Sequence, residues 1–383
     1  MLSAQEYLLP LLGRSNNSET AVFSRDNSAI KSSGEAVRLP FFDDFSFYTG
    51  CPDSRLWMGC DALVNTDYSN HPLSVGLVTL DAVDANGNLH AGANVGRFTG
   101  DTLCSLPIRL DSSFGSANRR LTPSDSVMMS FYYLPGGGMG NMWERIGSTP
   151  GEEDSLMLEF WNPSAQQWTM VWAVGGEFED TLLARAGHSW QYVVIPVLDP
   201  EYLDSTFRFR FRNYCSLGSQ ADPGMLGNTD QWNIDYVRID CTRSVMDECT
   251  RDIAFVQPAP SLLQNCWAIP ARQFNPSSMV EQLSIRTNNL YGEQLSVHFM
   301  YNIFDDTGNL LLASDEGHDN IDPFRRDYNS YLWEPQISYV YPVDPLRNQY
   351  FDVQYILREG VNGDKYQQND TLRLRQYISN YYA

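Results

Sequence analysis

The sequence predicts an all-β protein, a jelly-roll β-sandwich followed by an immunoglobulin- or fibronectin-like β-sandwich. Three observations predict this fold class. Aromatic residues, which suit pleated and half-buried surfaces, are abundant, with 21 Tyr, 19 Phe and 9 Trp among 383 residues. Short apolar or alternating runs recur between clusters of Gly, Pro, Asn and Asp, which are turn formers. No stretch of about 12 or more residues shows the 3.6-residue period of an amphipathic helix.

The clearest strand signals lie in the first half of the chain. Residues 207–212 (FRFRFR) alternate apolar and basic side chains with the period of two that a strand with one buried face requires. Residues 156–161 (LMLEFW) and 168–172 (WTMVW) flank an Asn-Pro-Ser turn and predict a hairpin. Other strands are predicted at residues 75–80, 126–133, 190–195 and 232–239. Many short strands of this kind predict two packed antiparallel sheets.

Composition divides the chain into four predicted segments. Residues 1–36 are polar and rich in Ser and Asn, which predicts an extended N-terminal arm. Residues 37–241 form the predicted jelly roll. Residues 242–276 contain four prolines and predict an extended, stiff connector. Residues 277–383, with strand-like runs such as 294–304, have the length and strand spacing of an immunoglobulin-like domain.

The charge of the chain restricts its partners. The formal net charge is -21 and the pI is about 4.5. Such a surface repels phosphate backbones, so nucleic acid is excluded as an expected partner. It suits divalent cations, above all calcium, which prefers carboxylate and carbonyl oxygens. The alternative is that the acidity only keeps the protein soluble. No run of about 20 apolar residues is present, so no membrane-spanning helix is predicted.

Cysteines and the N-terminus bear on the cellular compartment. Two close pairs among the seven cysteines, Cys51/Cys60 and Cys241/Cys249, suit disulfides in an oxidising compartment. Buried free thiols are the alternative for each pair, and the odd count leaves at least one thiol unpaired. Residues 3–4 (SA) resemble the small-residue end of an export-signal cleavage site. We therefore expect an exported protein.

Two segments carry a resemblance to a known group of proteins. Residues 39–46 (LPFFDDFS) resemble the first strand of a jelly-roll domain common in exported proteins of Bacteroidota, and residues 230–237 (DQWNIDYV) resemble its last strand. The last strand is also similar to that of calcium-containing carbohydrate-binding modules and of MAM-type and laminin-G-type jelly rolls. Residues 379–383 resemble a junction before a further β domain in large envelope proteins of that group, which implies a longer protein. The resemblance implies a cell-surface or outer-membrane-associated protein, a component or cargo of the type IX secretion and gliding apparatus.

A calcium site is the first predicted site. The first and last strands of a jelly roll lie side by side, which would bring Asp43 or Asp44 near Asp235. Converging carboxylates repel one another unless a cation neutralises them. In the calcium-containing modules that the chain resembles, the matching last-strand aspartate is a metal ligand. The alternative is that these carboxylates cap a turn or pair with Arg238.

A glycine-rich segment is the second predicted site. Residues 134–143 (LPGGGMGNMW) lack the Lys-Ser or Lys-Thr of a phosphate-binding loop, so we interpret them as a loop at one end of the sandwich. Its apolar side chains would contact a protein partner. The alternative is that they lie between domains or cover a sheet. The predicted contact residues are Gly136, Gly137, Gly138, Met139, Met142 and Trp143.

The remaining candidates concern sugars and catalysis. Four tryptophans, Trp161, Trp168, Trp172 and Trp190, could stack on pyranose rings, although sandwich cores also use such side chains. Acidic residues at 152–154, 159, 177 and 179 do not select a glycosidase pair by their spacing, and the five histidines are scattered. We therefore predict a non-catalytic binding or scaffold protein with protein partners in the cell envelope. The alternative is a carbohydrate-binding module that recognises a surface glycan.

Overall fold

The computed structural model describes residues 36–69, 71–94, 96–114, 118–137, 149–177, 179–217, 230–326, 330–360 and 363–380. These residues form two compact units. The first unit holds the described residues up to 69 and those from 76 to 246, and the second holds residues 71–75 and those from 247 onward. The predicted arm, residues 1–36, lies outside the described residues except for its last position.

The first unit is built from short strands, as the turn-rich sequence predicts. Its described strands are β1 (Val37–Arg38), β2 (Phe41–Asp43), β3 (Trp57–Met58), β4 (Leu63–Asn65), β5 (Leu77–Leu80), β6 (Phe98–Ser105), β7 (Ile108–Arg109), β8 (Ser112–Ser113), β9 (Arg119–Arg120), β10 (Met128–Pro135), β11 (Ser155–Asn162), β12 (Gln167–Gly175), β13 (Gln191–Pro196), β14 (Phe209–Cys215) and β15 (Trp232–Asp240). Among the described residues of this unit, the helix α1 (Glu179–Ala186) follows β12, and a 3₁₀ turn at Pro123–Asp125 precedes β10. None of the described helices is long and apolar enough to cross a bilayer.

Two sheets form the sandwich of the first unit. One has the order β13-β10-β15-β5-β4, with β2 also paired to β15. The other has the order β12-β11-β14-β6-β3. The predicted hairpin of residues 156–172 is confirmed by the antiparallel β11–β12 pair. The segments near residues 42 and 235 also meet as predicted, because β2 pairs antiparallel with β15 and places Asp43 opposite Val237.

Alternating side chains fill the space between these two sheets. Along β14, every second residue is buried, as the FRFRFR pattern predicts. Phe209 packs edge-to-face against Phe41 and Trp57, with ring centroids 5.4 and 5.5 Å away. Such pairs contribute roughly 0.5–1.5 kcal/mol each beyond the burial of their area. Part of the aromatic enrichment of the sequence therefore belongs to this core.

The second unit is also a two-sheet β structure. Its described strands are β16 (Ile253–Phe255), β17 (Ala268–Ile269), β18 (Ile285–Asn289), β19 (Leu295–Phe304), β20 (Leu310–Ile321), β21 (Tyr331–Trp333), β22 (Gln349–Glu359) and β23 (Thr371–Ile378), with a 3₁₀ turn at Pro276–Ser278. They form a three-stranded sheet, β16-β18-β21, and a five-stranded sheet, β17-β23-β22-β19-β20. Together with the first unit, this confirms the predicted all-β fold of successive sandwiches.

The structure differs from the prediction over residues 242–276. Part of this predicted connector is β16, which pairs with β18 through Ile253 and Phe255. Ile253, Phe255, Leu262 and Leu263 are all buried in the core of the second unit. Prolines limit the strand length here, but the apolar side chains between them are buried in the core of the second unit. These residues are therefore part of the second unit and not an exposed linker.

Candidate functional site

Asp43 does not act as an open metal ligand in this fold. It is buried at the end of β2 and already accepts three hydrogen bonds. Its Oδ1 accepts from the backbone N–H of Phe45 at 2.9 Å, and its Oδ2 accepts from Trp57 Nε1 at 2.6 Å and from the Tyr48 hydroxyl. Burial raises the pKa of Asp43 to about 7 despite these donors, because a charged carboxylate is poorly solvated there. Both of its oxygens hold the turn that follows β2.

The other two predicted calcium ligands also make local hydrogen bonds. Asp44 Oδ1 accepts from the backbone N–H of Ser46 at 3.2 Å, and Asp235 Oδ1 accepts from that of Tyr236 at 2.6 Å. Tyr236 has a φ of 56°, and the register of β15 against β10 shifts at this point. Within the described ranges, no group of three or more His, Cys, Asp or Glu side chains is placed to hold a metal ion. The arrangement around Asp43 therefore does not fit a calcium ion.

The predicted partner loop is described only at its first residues. Gly136 and Gly137 are buried, so the prediction that they form an exposed contact surface is wrong for these two residues. Gly136 has a φ of 72°, its N–H donates to the Gln231 carbonyl at 2.9 Å, and its carbonyl accepts from Asn233 Nδ2 at 2.6 Å. These two glycines close a turn inside the first unit. The remaining predicted contact residues, Gly138, Met139, Met142 and Trp143, lie outside the described residues.

The four candidate sugar-stacking tryptophans separate into two groups. Trp190 is buried, and Trp172 packs against the core residues Phe131 and Tyr133 at 5.2 and 5.3 Å between ring centroids. Trp161 of β11 and Trp168 of β12 are cross-strand partners and only partly buried. Their rings lie 5.4 Å apart at 64°, so they form an edge-to-face pair and not a flat platform.

Strand alternation places a group of arginines beside this tryptophan pair. In β14, Phe209 and Phe211 point into the core, so the side chains between and around them project from the opposite face of the sheet β12-β11-β14-β6-β3. Arg208 precedes β14 and continues its pairing, since its carbonyl accepts from the Trp161 N–H at 2.9 Å. We call the surface formed by Arg208, Arg210, Arg212, Trp161 and Trp168 the arginine–tryptophan face.

The guanidinium groups of this face lie over the indole rings. The Arg208 guanidinium lies 4.8 Å from the ring centroid of Trp161 and 5.7 Å from that of Trp168. The Arg210 guanidinium lies 4.3 Å from the Trp168 centroid. Such cation–π contacts fix long side chains that would otherwise be mobile, at roughly 0.5–1 kcal/mol each at exposed sites. The face is therefore preorganised, with planar cations and ring edges alternating on one sheet surface.

One carboxylate lies among these cations. Glu159 of β11 accepts from Arg210 Nε at 2.5 Å and lies 3.5 Å from Arg212 Nη1. Arg97, next to β6, extends the basic surface. Its guanidinium lies 3.9 Å over the Tyr214 ring, and its Nη2 donates to Ser155 Oγ at 3.0 Å. The face thus carries a net positive charge on a strongly acidic protein.

A carboxyl pair that spacing did not reveal lies at one end of the sandwich. Asp154 is buried, its Oδ2 accepts from the Gly151 N–H at 2.7 Å, and it forms a hydrogen bond with Asp230. Burial and the neighbouring Asp154 raise the pKa of Asp230 to about 7, because both disfavour a second negative charge at this position. Carboxyl groups in direct contact are closer than the roughly 5–9 Å of glycosidase pairs. Only the tertiary fold brings these residues together.

The cysteines follow one of the two predicted pairings. Cys51 and Cys60 form a disulfide, with their Cα atoms 4.8 Å apart. Cys241 and Cys249, the second predicted pair, carry free thiols and are not bonded to each other. Cys104, Cys215 and Cys266 are also free.

Comparison with known proteins gives structural matches only. No protein-family model and no curated protein matches the sequence. Solved structures that match the chain include β-glucuronidase 2 of Bacteroides uniformis, with a TM-score of 0.25 and 12% identity, covering 76% of this chain and 29% of that one. A GH2 β-galacturonidase of Eisenbergiella tayi has a TM-score of 0.29 and 7% identity, covering 84% and 44%. A β-glucuronidase of Parabacteroides merdae has a TM-score of 0.25 and 10% identity, covering 78% and 29%.

This chain therefore spans less than half the length of each of these enzymes. No functional property of these enzymes follows from similarities of this size.

Proposed function

We propose that this chain is a non-catalytic binding module of an exported cell-surface protein and that it binds a polysaccharide through the arginine–tryptophan face. The observation that carries the proposal is the alternation of Arg208, Arg210, Trp161 and Trp168 on one open sheet surface. Of the hypotheses raised by the sequence, this is the one for which the described residues supply a surface.

The chemistry of the face suits sugar rings. A pyranose has hydroxyl groups around its rim and C–H groups on its faces. Guanidinium groups donate several hydrogen bonds in a fixed plane, and indole rings offer apolar edges and faces to C–H groups. Because Trp161 and Trp168 meet edge-to-face, a sugar would contact the rims of the indoles and receive hydrogen bonds from the neighbouring arginines.

The states of the nearby acidic residues support a binding role over catalysis. Glu159, the carboxylate on the face, is held by Arg210, and Asp154 is buried against Asp230. The Cys51–Cys60 disulfide supports an exported setting, because such bonds persist in oxidising compartments. The scaffold role in an envelope assembly depends on residues 138–143 and stays a prediction.

Affinity electrophoresis of the full chain in gels containing soluble polysaccharides tests this proposal. We expect retardation in at least one polysaccharide and its loss in Trp168→Ala. Trp267→Ala is the matched control, because Trp267 is 59% exposed in the second unit and should not matter. A reducing-end assay on the retarding polysaccharide should show no release over time. Equal retardation of wild type and Trp168→Ala, or no retardation in any gel, would contradict the proposal.

A further inference from the structure

We propose that the polysaccharide recognised by the arginine–tryptophan face is anionic, with sugar rings that carry carboxylate groups. This inference rests on the proposed function and adds the chemical class of the ligand.

The positive charge of the arginine–tryptophan face favours an anionic ligand. Outward positions of the sheet β12-β11-β14-β6-β3 and its margin carry four arginines, Arg97, Arg208, Arg210 and Arg212. Among the described residues of these strands, Glu159 is the acid that lies between them. The chain as a whole has a formal net charge of -21. A local positive surface on such a protein concentrates anionic ligands at that surface and repels them elsewhere. A neutral polysaccharide would gain nothing from the positive charge of the face.

The contacts of Arg208 also favour a ligand that carries a carboxylate. In the part of the chain that the structure describes, Arg208 has ring contacts with Trp161 and Trp168 but no carboxylate within ion-pair distance. Arg210, by contrast, is paired with Glu159 at 2.5 Å. The indoles orient the Arg208 guanidinium and leave its N–H donors for a ligand. A planar guanidinium matches a carboxylate in a bidentate geometry, which a hydroxyl group cannot reproduce.

The spacing of the arginines along β14 also favours a linear ligand with repeated charges. Residues two apart on a strand are separated by about 6.7 Å, so Arg208 and Arg212 lie roughly 13 Å apart along β14. A linear chain of carboxylated sugars lying along this strand would present charges at intervals to successive arginines. A nucleic acid has a denser negative charge and would extend beyond the edge of the face. The acidic remainder of the protein surface would repel it there. An acidic peptide would supply carboxylates but no sugar C–H faces for the indoles.

Binding of the full chain to matched probes tests the inference. The probes are polygalacturonate, the same polymer after chemical reduction of its carboxyl groups, and poly-L-glutamate. We expect polygalacturonate to bind at least tenfold more tightly than the reduced polymer, and to weaken as salt is raised, because exposed charges are screened over about 8 Å at physiological ionic strength. Arg208→Gln should weaken polygalacturonate binding about tenfold, which is about 1.4 kcal/mol.

Arg120→Gln is the matched control, since Arg120 is exposed and lies in β9, outside the sheet β12-β11-β14-β6-β3. It should bind like the wild type. Arg208→Lys keeps the charge and loses the planar fork, so it should retain the salt dependence with a reduced affinity. Melting curves of the variants confirm that each is folded, and the salt series on the wild type needs no variant.

The outcomes separate the two proposals. Equal binding of polygalacturonate and its reduced form, unchanged in Arg208→Gln, would overturn the anionic class and leave polysaccharide binding in place. Binding of poly-L-glutamate as tight as that of polygalacturonate would show a general polyanion surface and overturn this inference. No binding of either polysaccharide, together with no retardation in the electrophoresis panel, would overturn both proposals.

Discussion

Burial makes Asp43 a pH-sensitive element of the first unit. Its pKa rises from an ordinary value of 3.8 to about 7, because burial penalises the charged form more than the donors Tyr48, Trp57 and Phe45 favour it. The folded protein therefore binds a proton at Asp43 more tightly than the unfolded chain does. For a carboxyl group whose pKa is raised by folding, the stabilisation is complete below the unfolded pKa and is lost as the pH rises through the folded one.

The expected magnitude follows from this difference. One unit of pKa corresponds to about 1.4 kcal/mol, so a rise from 3.8 to about 7 corresponds to about 4 kcal/mol. Asp43→Asn removes the ionisable group and nearly keeps its size. The variant loses one hydrogen-bond acceptor at every pH, so its absolute stability is lower at acidic pH. The free energy of unfolding of the wild type, relative to that of the variant, should fall by about 4 kcal/mol between about pH 4 and pH 8.

Urea unfolding of the full chain over a pH series, with calorimetry to separate the transitions of the two units, measures this difference. Asp53→Asn serves as the control, since Asp53 is partly exposed and pairs with Arg55 at the surface. Its curve should run parallel to that of the wild type. Parallel curves for Asp43→Asn and the wild type would refute the reasoning, because they would show that folding does not change the proton affinity of Asp43.

Further predictions concern buried contacts of the first unit. Gly136→Ala should lower the free energy of unfolding by about 2 kcal/mol in urea titrations, because the residue has a φ of 72° and an added Cβ would lie 2.9 Å from a neighbouring side chain; an unchanged midpoint would contradict this. Cys60→Ser opens the link to Cys51, nine residues away, and should cost about 2.5 kcal/mol under non-reducing conditions, with no such loss when the wild type is compared in reductant. Asn233→Ala removes a buried amide that bonds at 2.5 and 2.6 Å and should cost about 3 kcal/mol by urea unfolding, a loss under about 1 kcal/mol being incompatible with this network. Calcium and chelator should give the same melting temperature, since the oxygens of Asp43 are already bonded, and a calcium-dependent rise that Asp43→Asn abolishes would reverse this conclusion.

Local sequence patterns predicted the strands and the class of fold well. The alternation at residues 207–212 matches the buried and half-buried pattern of β14, and the run at residues 294–304 matches β19. The pairing of β2 with β15 was also predictable, because a jelly roll joins its first and last strands. These features depend on side-chain period and turn residues, which neighbouring positions in the chain encode directly.

The connector at residues 242–276 shows the limit of such patterns. Its prolines indicate an extended chain, and the chain is indeed interrupted there, but the sequence does not say whether an extended segment is exposed or buried. Burial of Ile253, Phe255 and Leu262 depends on a core supplied by strands that come later in the chain. Composition alone therefore assigned these residues to a linker.

The sequence by itself determined the all-β class, most strand positions, the hairpin at residues 156–172 and the acidic character of the chain, since each depends on residues close in sequence or on a total. Only the tertiary structure decided the state of each candidate site residue. Trp57 reaches Asp43 from 14 positions away, and Arg210 reaches Glu159 from 51 positions away. Hydrogen bonds and desolvation depend on which groups meet in space, so the same aspartate pattern can be a metal site or a buried acceptor, and the fold chooses between them.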